Sequence, residues 1–223
     1  MSTTQNTPKA FLFDLNGTMI DDMQYHIHAW YNILNSLGAN ISMQKMKEEC
    51  YGKNHELLER TFPGRFSEEE KNEMSFAKER EYQAEFRPHL KLLPGLDKFL
   101  QKAHDAGIKM AIGSAAIMFN IDFVLDNLHI RHYFQALVSA DDVSKSKPDP
   151  ETYLICADHL QVSPDDCIVF EDGPRGVESA LNAGMKCVVL TILHDEHEFP
   201  SHPNIIGFAK DYNDVLFAQL ITP

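Results

Sequence analysis

The ten residues KAFLFDLNGT, at positions 9–18, contain the strongest indication of the fold. Their apolar run is short, as in a strand buried inside a sheet, and it ends at Asp14. The Asn-Gly pair that follows is common in turns, so a simple turn would also explain it. We predict a buried strand over residues 9–15 that presents a carboxylate near its C-terminal end.

A regular alternation of helices and strands begins after Gly95. Strands are predicted at residues 109–114, 136–140, 167–172 and 186–192, and helices at 96–106, 117–128, 150–160 and 174–183. Strands separated by helices of this length pair in parallel through right-handed crossovers. The predicted fold class is therefore α/β, with a doubly wound, Rossmann-like parallel sheet.

A helical stretch interrupts this pattern after its first strand. Helical spacing covers residues 22–37 and 42–87, and Ser67 with Glu70 forms a capping-box pattern at the start of a long polar helix. We therefore expect two domains. Residues 1–20 and 91–223 are predicted to form the α/β core, and residues 21–90 an inserted all-α cap.

Composition limits the possible classes of function. The 223 residues include 20 Lys+Arg against 33 Asp+Glu, which gives a net charge of −13. Such an acidic chain is not expected to bind nucleic acid. No apolar run approaches the ~20 residues of a membrane span, and no secretory signal is visible, so neither a membrane partner nor secretion is expected. Cys167 and Cys187 each begin an apolar run, and we predict buried free thiols, as in a reducing cytoplasm.

Polar side chains stand at or just beyond the ends of several predicted strands. Each has an ordinary structural explanation, such as capping a helix or marking a loop. In an open α/β sheet, however, ligands bind outside the carboxyl ends of the strands. Because the polar groups recur in order at corresponding positions, we interpret them as one site. They are Asp14, Ser114, Lys147 and the pair Glu171 and Asp172.

These motifs resemble those of the haloacid dehalogenase superfamily of phosphohydrolases. Within it, the chain is similar to the branch of β-phosphoglucomutase, which carries a helical cap, and the resemblance covers nearly the whole length. The motif set is specific for the superfamily and much weaker for any one substrate. Asp-Leu-Asn-Gly-Thr at 14–18 resembles the first motif, Ser114 the second, Lys147-Pro148 the third and Glu171-Asp172 the fourth.

The resemblance implies a catalytic role for each motif. Asp14 is the expected nucleophile, which attacks phosphorus to form an aspartyl-phosphate. Ser114 is expected to donate a hydrogen bond to the phosphoryl oxygens, and Lys147 to neutralise charge on them and on Asp14. Backbone N–H groups are expected to cradle the phosphate. They belong to Gly17, Thr18 and Ala115.

The resemblance also implies Mg²⁺ as cofactor. Its expected ligands are Asp14, the backbone carbonyl of Asn16 and Asp172, because Mg²⁺ prefers hard oxygen donors. Glu171 is expected to contact the ion directly or through water. Arg175 stands beside this motif, where it is expected to contact the phosphate, to brace Glu171, or to form a surface ion pair.

Asn16 is the main departure from the family pattern. Most phosphatases and mutases of the superfamily have a second Asp here, which protonates the leaving oxygen and later activates water. An amide cannot carry that proton, so an acid–base contribution of about 10²–10⁴-fold is in doubt. Asn16 is consistent with an engineered substitution, with a natural variant for good leaving groups, or with a slow or silent enzyme. His26 or His55 is an alternative source of the proton.

The cap is expected to select the substrate. His26 is predicted to face the active site, the alternative being a surface histidine. His55 stands where mutases carry an Arg that grips a second phosphate, and an imidazole is a poorer clamp. Ala115 and Ala116 replace the polar, Lys-bearing residues of the sugar mutases. Both differences favour hydrolysis over mutase chemistry.

The sequence thus predicts a cytoplasmic, monomeric, Mg²⁺-dependent phosphohydrolase. Its expected substrate is a small phosphorylated metabolite, with a sugar phosphate as the leading class. Two alternatives stay open. One is a β-phosphoglucomutase-like hexose-phosphate mutase, which would depend on a bisphosphate activator. The other is a low-turnover protein that binds a phosphorylated metabolite, because of Asn16.

Overall fold

The computed structural model describes residues 8–199 and 201–221, and the chain divides into two compact units. The first consists of Met1–Asp21 and Lys91–Pro223, and the second of Asp22–Leu90. In the described residues, no helix combines the length and the apolar character needed to cross a membrane.

Strands and helices are numbered in chain order over the described residues. The strands are β1 (Ala10–Phe13), β2 (Lys109–Gly113), β3 (Ala136–Val138), β4 (Cys167–Glu171), β5 (Lys186–Leu190) and β6 (Ile205–Ala209). The helices are α1 (Met23–Ser36), α2 (Met43–Glu49), α3 (Asn54–Thr61), α4 (Glu68–Phe86), α5 (Leu96–Asp105), α6 (Met118–Asn127), α7 (Glu151–Leu160), α8 (Pro174–Asn182) and α9 (Val215–Ile221).

The first unit contains a doubly wound parallel sheet, which confirms the predicted fold class. The strand order is β3-β2-β1-β4-β5-β6, and all pairings between these strands are parallel. The order changes direction between β1 and β4, and open sheets of this kind bind their ligands at such a switch point.

Both faces of the central strand are buried, which explains its continuous apolar run. Phe11 and Phe13 belong to an aromatic cluster with Phe170, in which the Phe13 and Phe170 rings stack at 4.7 Å. Ala10 and Leu12 belong to a second core cluster of this unit, which includes buried residues of α7 and α8. The cysteines are free, and Cys167 and Cys187 are buried, as predicted.

The sequence analysis did not predict β6 and α9. β6 is an edge strand with half-exposed and exposed positions, so it lacks the continuous apolar run of the central strands. Gly207 interrupts it, and a Cβ at this position would lie 2.6 Å from Leu216 Cδ2 of α9. Glycine in a strand interior weakens the strand, but here it makes room for the helix.

The second unit is helical and has its own core. Its buried apolar cluster includes Ile27, Trp30 and Leu34 of α1 together with residues of α2 and α3. The capping box predicted at Ser67 is present: the Ser67 hydroxyl accepts from the N–H of Glu70 at 3.2 Å, and the Glu70 carboxylate accepts from the N–H of Ser67 at 2.8 Å.

Candidate active site

Two carboxylates stand on either side of the switch point of the sheet. Asp14 directly follows Phe13, the last residue of β1, and its N–H donates to the carbonyl of Phe170 in β4 at 3.0 Å. Asp172 directly follows β4. Because β1 and β4 are hydrogen-bonded neighbours, the sheet itself brings these two side chains to the same edge.

Lys147 lies between Asp14 and a third carboxylate, Glu171. Its Nζ is 2.7 Å from Asp14 Oδ1 and 2.7 Å from Glu171 Oε1, and the lysine side chain is only 9% exposed. One oxygen each from Asp14, Glu171 and Asp172 lie within 4.8 Å of one another, and all three residues are buried. Lys147 thus contacts two of three clustered acidic groups.

The excess of acidic groups in this cluster shifts the pKa values of Lys147 and Asp172. Burial by itself lowers the pKa of Lys147, but Asp14 and Glu171 outweigh it and raise the pKa above its usual value. Burial raises the pKa of Asp172 well above its usual range, and the neighbouring carboxylates add to the effect. The cluster therefore has more acidic groups than the single Lys147 ammonium can neutralise. Its buried oxygen donors fit a hard divalent cation such as Mg²⁺.

Both oxygens of Glu171 already accept hydrogen bonds from the protein. Oε1 accepts from Lys147 Nζ and from the Tyr153 hydroxyl, each at 2.7 Å. Oε2 accepts from the N–H groups of Asp172 at 3.0 Å and Gly173 at 3.1 Å. The protein therefore fixes the orientation of this carboxylate.

Gly176 makes room for Glu171, since a Cβ there would lie 1.8 Å from Glu171 Oε1. In a helix, alanine is ordinarily more stable than glycine by about 1 kcal/mol. We nevertheless expect Gly176→Ala to lower the free energy of unfolding by about 1–3 kcal/mol, because Glu171 must move. Urea unfolding measures this. In a Glu171→Ala background the same change should be stabilising, and a loss in both backgrounds would contradict the explanation.

The loop after β1 packs against Asp172. Thr18 is fully buried, and its Oγ1 donates to Asp172 Oδ1 at 3.3 Å. Gly17 has a φ of +75°, and a Cβ on it would lie 2.0 Å from Asp172 Oδ2. Glycine is required here both by the backbone conformation and by the close approach. Asn16, immediately before it, is half-buried.

Ser114 directly follows Gly113, the last residue of β2, whose carbonyl contacts Lys147. Lys147 Nζ donates to the carbonyl of Gly113 at 3.0 Å. Ser114 is buried, and its Oγ accepts from the N–H of Ala116 at 3.2 Å. Ala115 is half-buried beside it. The second and third predicted motifs thus meet at this strand end, whereas Arg175 is exposed on the first turn of α8.

The predicted cap histidines lie in the second unit, where His26 belongs to a buried polar cluster. Lys78 Nζ contacts His26 Nδ1 and is 3.0 Å from Glu79 Oε1. The ring of Tyr82 stacks on His26 at 3.8 Å, and its hydroxyl donates to Asp22. The alternative of a surface histidine is therefore wrong.

His55 has a different environment. It is half-buried, and its Nδ1 lies 3.1 Å from Glu68 Oε2, a carboxylate at the start of α4. An imidazole paired with a carboxylate is not arranged like a guanidinium fork that grips a phosphate.

Sequence reasoning missed Tyr153, which contacts both Lys147 and Glu171. A signal was present, because Tyr153 shares one face of α7 with Cys156, Ala157 and Leu160, and all four are buried. A buried tyrosine hydroxyl nearly always has a hydrogen-bond partner. Because α7 follows Lys147 in the chain, the hydrogen-bond partner of Tyr153 is expected near Lys147.

Comparison with known proteins identifies relatives over most of the chain. The family model for haloacid dehalogenase-like hydrolases matches residues 11–190. β-Phosphoglucomutase of Bacillus subtilis is 34% identical and the match covers 81% of this chain and 82% of that protein. Fructose-1-phosphate phosphatase of Escherichia coli is 29% identical, with 82% and 96% covered. The crystal structure of β-phosphoglucomutase from Clostridium difficile matches with a TM-score of 0.82 and 27% identity, covering 96% of each chain.

Proposed function

Because the chain belongs to the haloacid dehalogenase-like hydrolase family, we propose that it is a Mg²⁺-dependent phosphatase of a small sugar phosphate, with Asp14 as nucleophile. The observation that carries this proposal is the contact of Asp14 Oδ1 with Lys147 Nζ, 2.7 Å apart at the switch point of the sheet. The names of the relatives, a fructose-1-phosphate phosphatase and a hexitol phosphatase among them, support the substrate class.

The proposed reaction has two displacements at phosphorus. A carboxylate oxygen of Asp14 forms a bond to phosphorus while the bond to the leaving oxygen breaks, and that oxygen takes up a proton. Water then attacks the aspartyl-phosphate, the bond from phosphorus to Asp14 breaks, and phosphate leaves. Lys147 keeps Asp14 oriented and neutralises negative charge that develops on the phosphoryl oxygens. The Ser114 hydroxyl and the N–H of Ala115 are proposed to bind the same oxygens.

The acidic cluster is proposed to hold the cofactor. Mg²⁺, when bound, supplies the positive charge that offsets the repulsion between a carboxylate nucleophile and a phosphate dianion. Asp14, Asp172 and the backbone carbonyl of Asn16 are the proposed direct ligands. Glu171 is proposed to reach the ion through water, since both of its oxygens accept hydrogen bonds from the protein.

Asn16 determines which leaving groups this site can expel. Its amide can neither protonate the leaving oxygen nor take a proton from the attacking water. The proton transfers must then involve water, so substrates with good leaving groups, such as acyl phosphates, should react fastest. Hydrolysis of the aspartyl-phosphate is slowed for the same reason.

The experiment that tests the proposed function measures phosphate release. A panel of hexose and hexitol phosphates, pyrophosphate and acetyl phosphate is incubated with the protein, with Mg²⁺ and with excess chelator. Mg²⁺-dependent release supports the proposal. Isomerisation of a hexose phosphate that requires a bisphosphate activator would instead support the mutase, and tight metabolite binding without release by any variant would support the binding protein.

We expect Asn16→Asp to raise kcat for sugar phosphates by about 10²–10⁴-fold, because it restores a carboxyl group that can move the proton. For acetyl phosphate the gain should be smaller, since its leaving group needs little protonation. Steady-state kinetics on both substrates measure the difference. Asn16→Ala is the control and should show no gain. An Asp variant without any increase on sugar phosphates would contradict the role assigned to this position.

A further inference from the structure

Tyr153, on the first turn of α7, places a hydroxyl inside the charged site. The residue is fully buried, and its O–H donates to Glu171 Oε1 at 2.7 Å. Its oxygen accepts from Lys147 Nζ at 2.9 Å, and that Nζ lies 4.6 Å from the ring centroid. This one hydroxyl therefore bridges the ammonium of Lys147 and the carboxylate of Glu171.

The hydrogen bonds around Lys147 show what this hydroxyl does. An ammonium has three N–H donors. Among the described residues, four acceptors lie within 3.0 Å of Lys147 Nζ: Asp14 Oδ1, Glu171 Oε1, the Gly113 carbonyl and the Tyr153 oxygen. Tyr153 both accepts from Lys147 and donates to Glu171 Oε1, so Glu171 Oε1 keeps a donor when the three N–H groups of Lys147 point to Asp14, Gly113 and Tyr153. The hydroxyl thereby holds the ammonium where one N–H group is directed at Asp14.

We propose that Tyr153 is a positioning residue of this site, which holds Glu171 and thereby keeps the Lys147 ammonium directed at Asp14 and the phosphoryl group. The inference rests on the proposed function, because it concerns the same site. Without the hydroxyl, Lys147 loses one of the acceptors that fix its direction, and Glu171 Oε1 loses one of its two donors. The ammonium then moves toward Glu171 and away from the atoms on which negative charge develops during transfer.

The ring of Tyr153 has a packing role that phenylalanine can take over. A Cβ on Gly113 would lie 2.9 Å from Cys156 Sγ and 3.3 Å from Tyr153 Cδ1, so α7 packs closely on the end of β2. Tyr153→Phe keeps the ring and removes only the hydroxyl. This variant therefore separates positioning from packing.

The test compares Tyr153→Phe with Tyr133→Phe, which removes a hydroxyl that donates to Gln101 Oε1 at 2.9 Å in the same unit. We expect Tyr153→Phe to lower kcat about ten- to a hundredfold, the range for losing a hydrogen bond to a charged group, with KM changed less than about threefold. Tyr133→Phe should leave both constants unchanged. In a Glu171→Gln background, Tyr153→Phe should lower kcat by less than about a further threefold. If Tyr153 acted only through packing, the same substitution would lower kcat again by the full ten- to hundredfold.

Calorimetric titration with orthovanadate in the presence of Mg²⁺ supplies a measure that does not depend on turnover. We expect Tyr153→Phe to bind vanadate about tenfold more weakly than the wild type and Tyr133→Phe, because the Lys147 ammonium is no longer held in position. If the wild type binds vanadate but releases no phosphate, the proposed function fails and the vanadate comparison alone decides the role of Tyr153. Unchanged kcat and vanadate affinity in Tyr153→Phe would overturn the inference and leave the function intact. A wild type that neither binds nor turns over would overturn both.

Discussion

Replacing Asp14 with asparagine is expected to lower phosphate release by about 10⁴-fold or more, the scale on which the loss of a covalent nucleophile acts. An amide oxygen is neutral and a poor nucleophile, so the first displacement at phosphorus is lost. Lys147 also loses one of its two charged partners, 2.7 Å away. Steady-state phosphate release with the best substrate of the panel measures the effect.

The same variant should not be less stable than the wild type. Asp14→Asn removes one of three clustered negative charges, so the thermal midpoint should stay the same or rise. Asp126→Asn is the matched control, because Asp126 is an exposed carboxylate that pairs with Arg131 at 2.7 Å. The control should keep full activity. An Asp14→Asn protein that retains more than about a tenth of wild-type kcat would contradict a nucleophilic role.

Replacing Lys147 with methionine is expected to lower both activity and stability. The carboxylates of Asp14 and Glu171 then lose the ammonium that lies 2.7 Å from each. Removing one partner of a buried ion pair typically costs about 3–5 kcal/mol, and we expect a loss of that size in the free energy of unfolding. Phosphate release should fall by about 10²–10³-fold, because a donor to the developing charge is gone. Urea unfolding and steady-state kinetics check the two effects.

Lys145 provides the control for Lys147. It lies two residues away, its side chain is 74% exposed, and its Nζ is 3.7 Å from Asp149 Oδ2. A methionine at this exposed site should change stability by no more than about 0.5 kcal/mol. Added Mg²⁺ should raise the thermal midpoint of Lys147→Met more than that of Lys145→Met, since the acidic cluster then lacks its ammonium. Equal stability of the two variants would show that Lys147 does not neutralise a buried cluster.

The central strands, their parallel pairing and the residues at their ends could be predicted because all three follow from local patterns. The run before Asp14 is apolar at every position, as a strand with two buried faces must be. Short helices between the strands then require parallel pairing, and parallel pairing brings the strand ends to one edge. Asp14 and Asp172 come together for that reason, although 158 positions separate them in the chain.

The contacts of Tyr153 could not be read from a pattern in the same way. Its position on the buried face of α7 is visible in the sequence, but the close approach of α7 to β2 depends on Gly113.

α4 shows a second limit of prediction from the sequence. It is polar around its circumference, which suggests a solvated helix, yet it buries Lys78 and Glu79 in the cluster around His26. Hydrophobic periodicity detects apolar burial and is silent about a polar interior.

The central claim is that Asp14 carries the phosphoryl group during turnover. It is tested most directly by mixing the protein with Mg²⁺ and acetyl phosphate, quenching in acid, and locating any added phosphoryl group by mass spectrometry. Because Asn16 cannot activate water, the intermediate should accumulate. We predict one phosphoryl group, on Asp14, that forms with Mg²⁺ and is absent from Asp14→Asn. Phosphate release in a single turnover without a phosphoryl group on Asp14, or with one on another residue, would contradict the account.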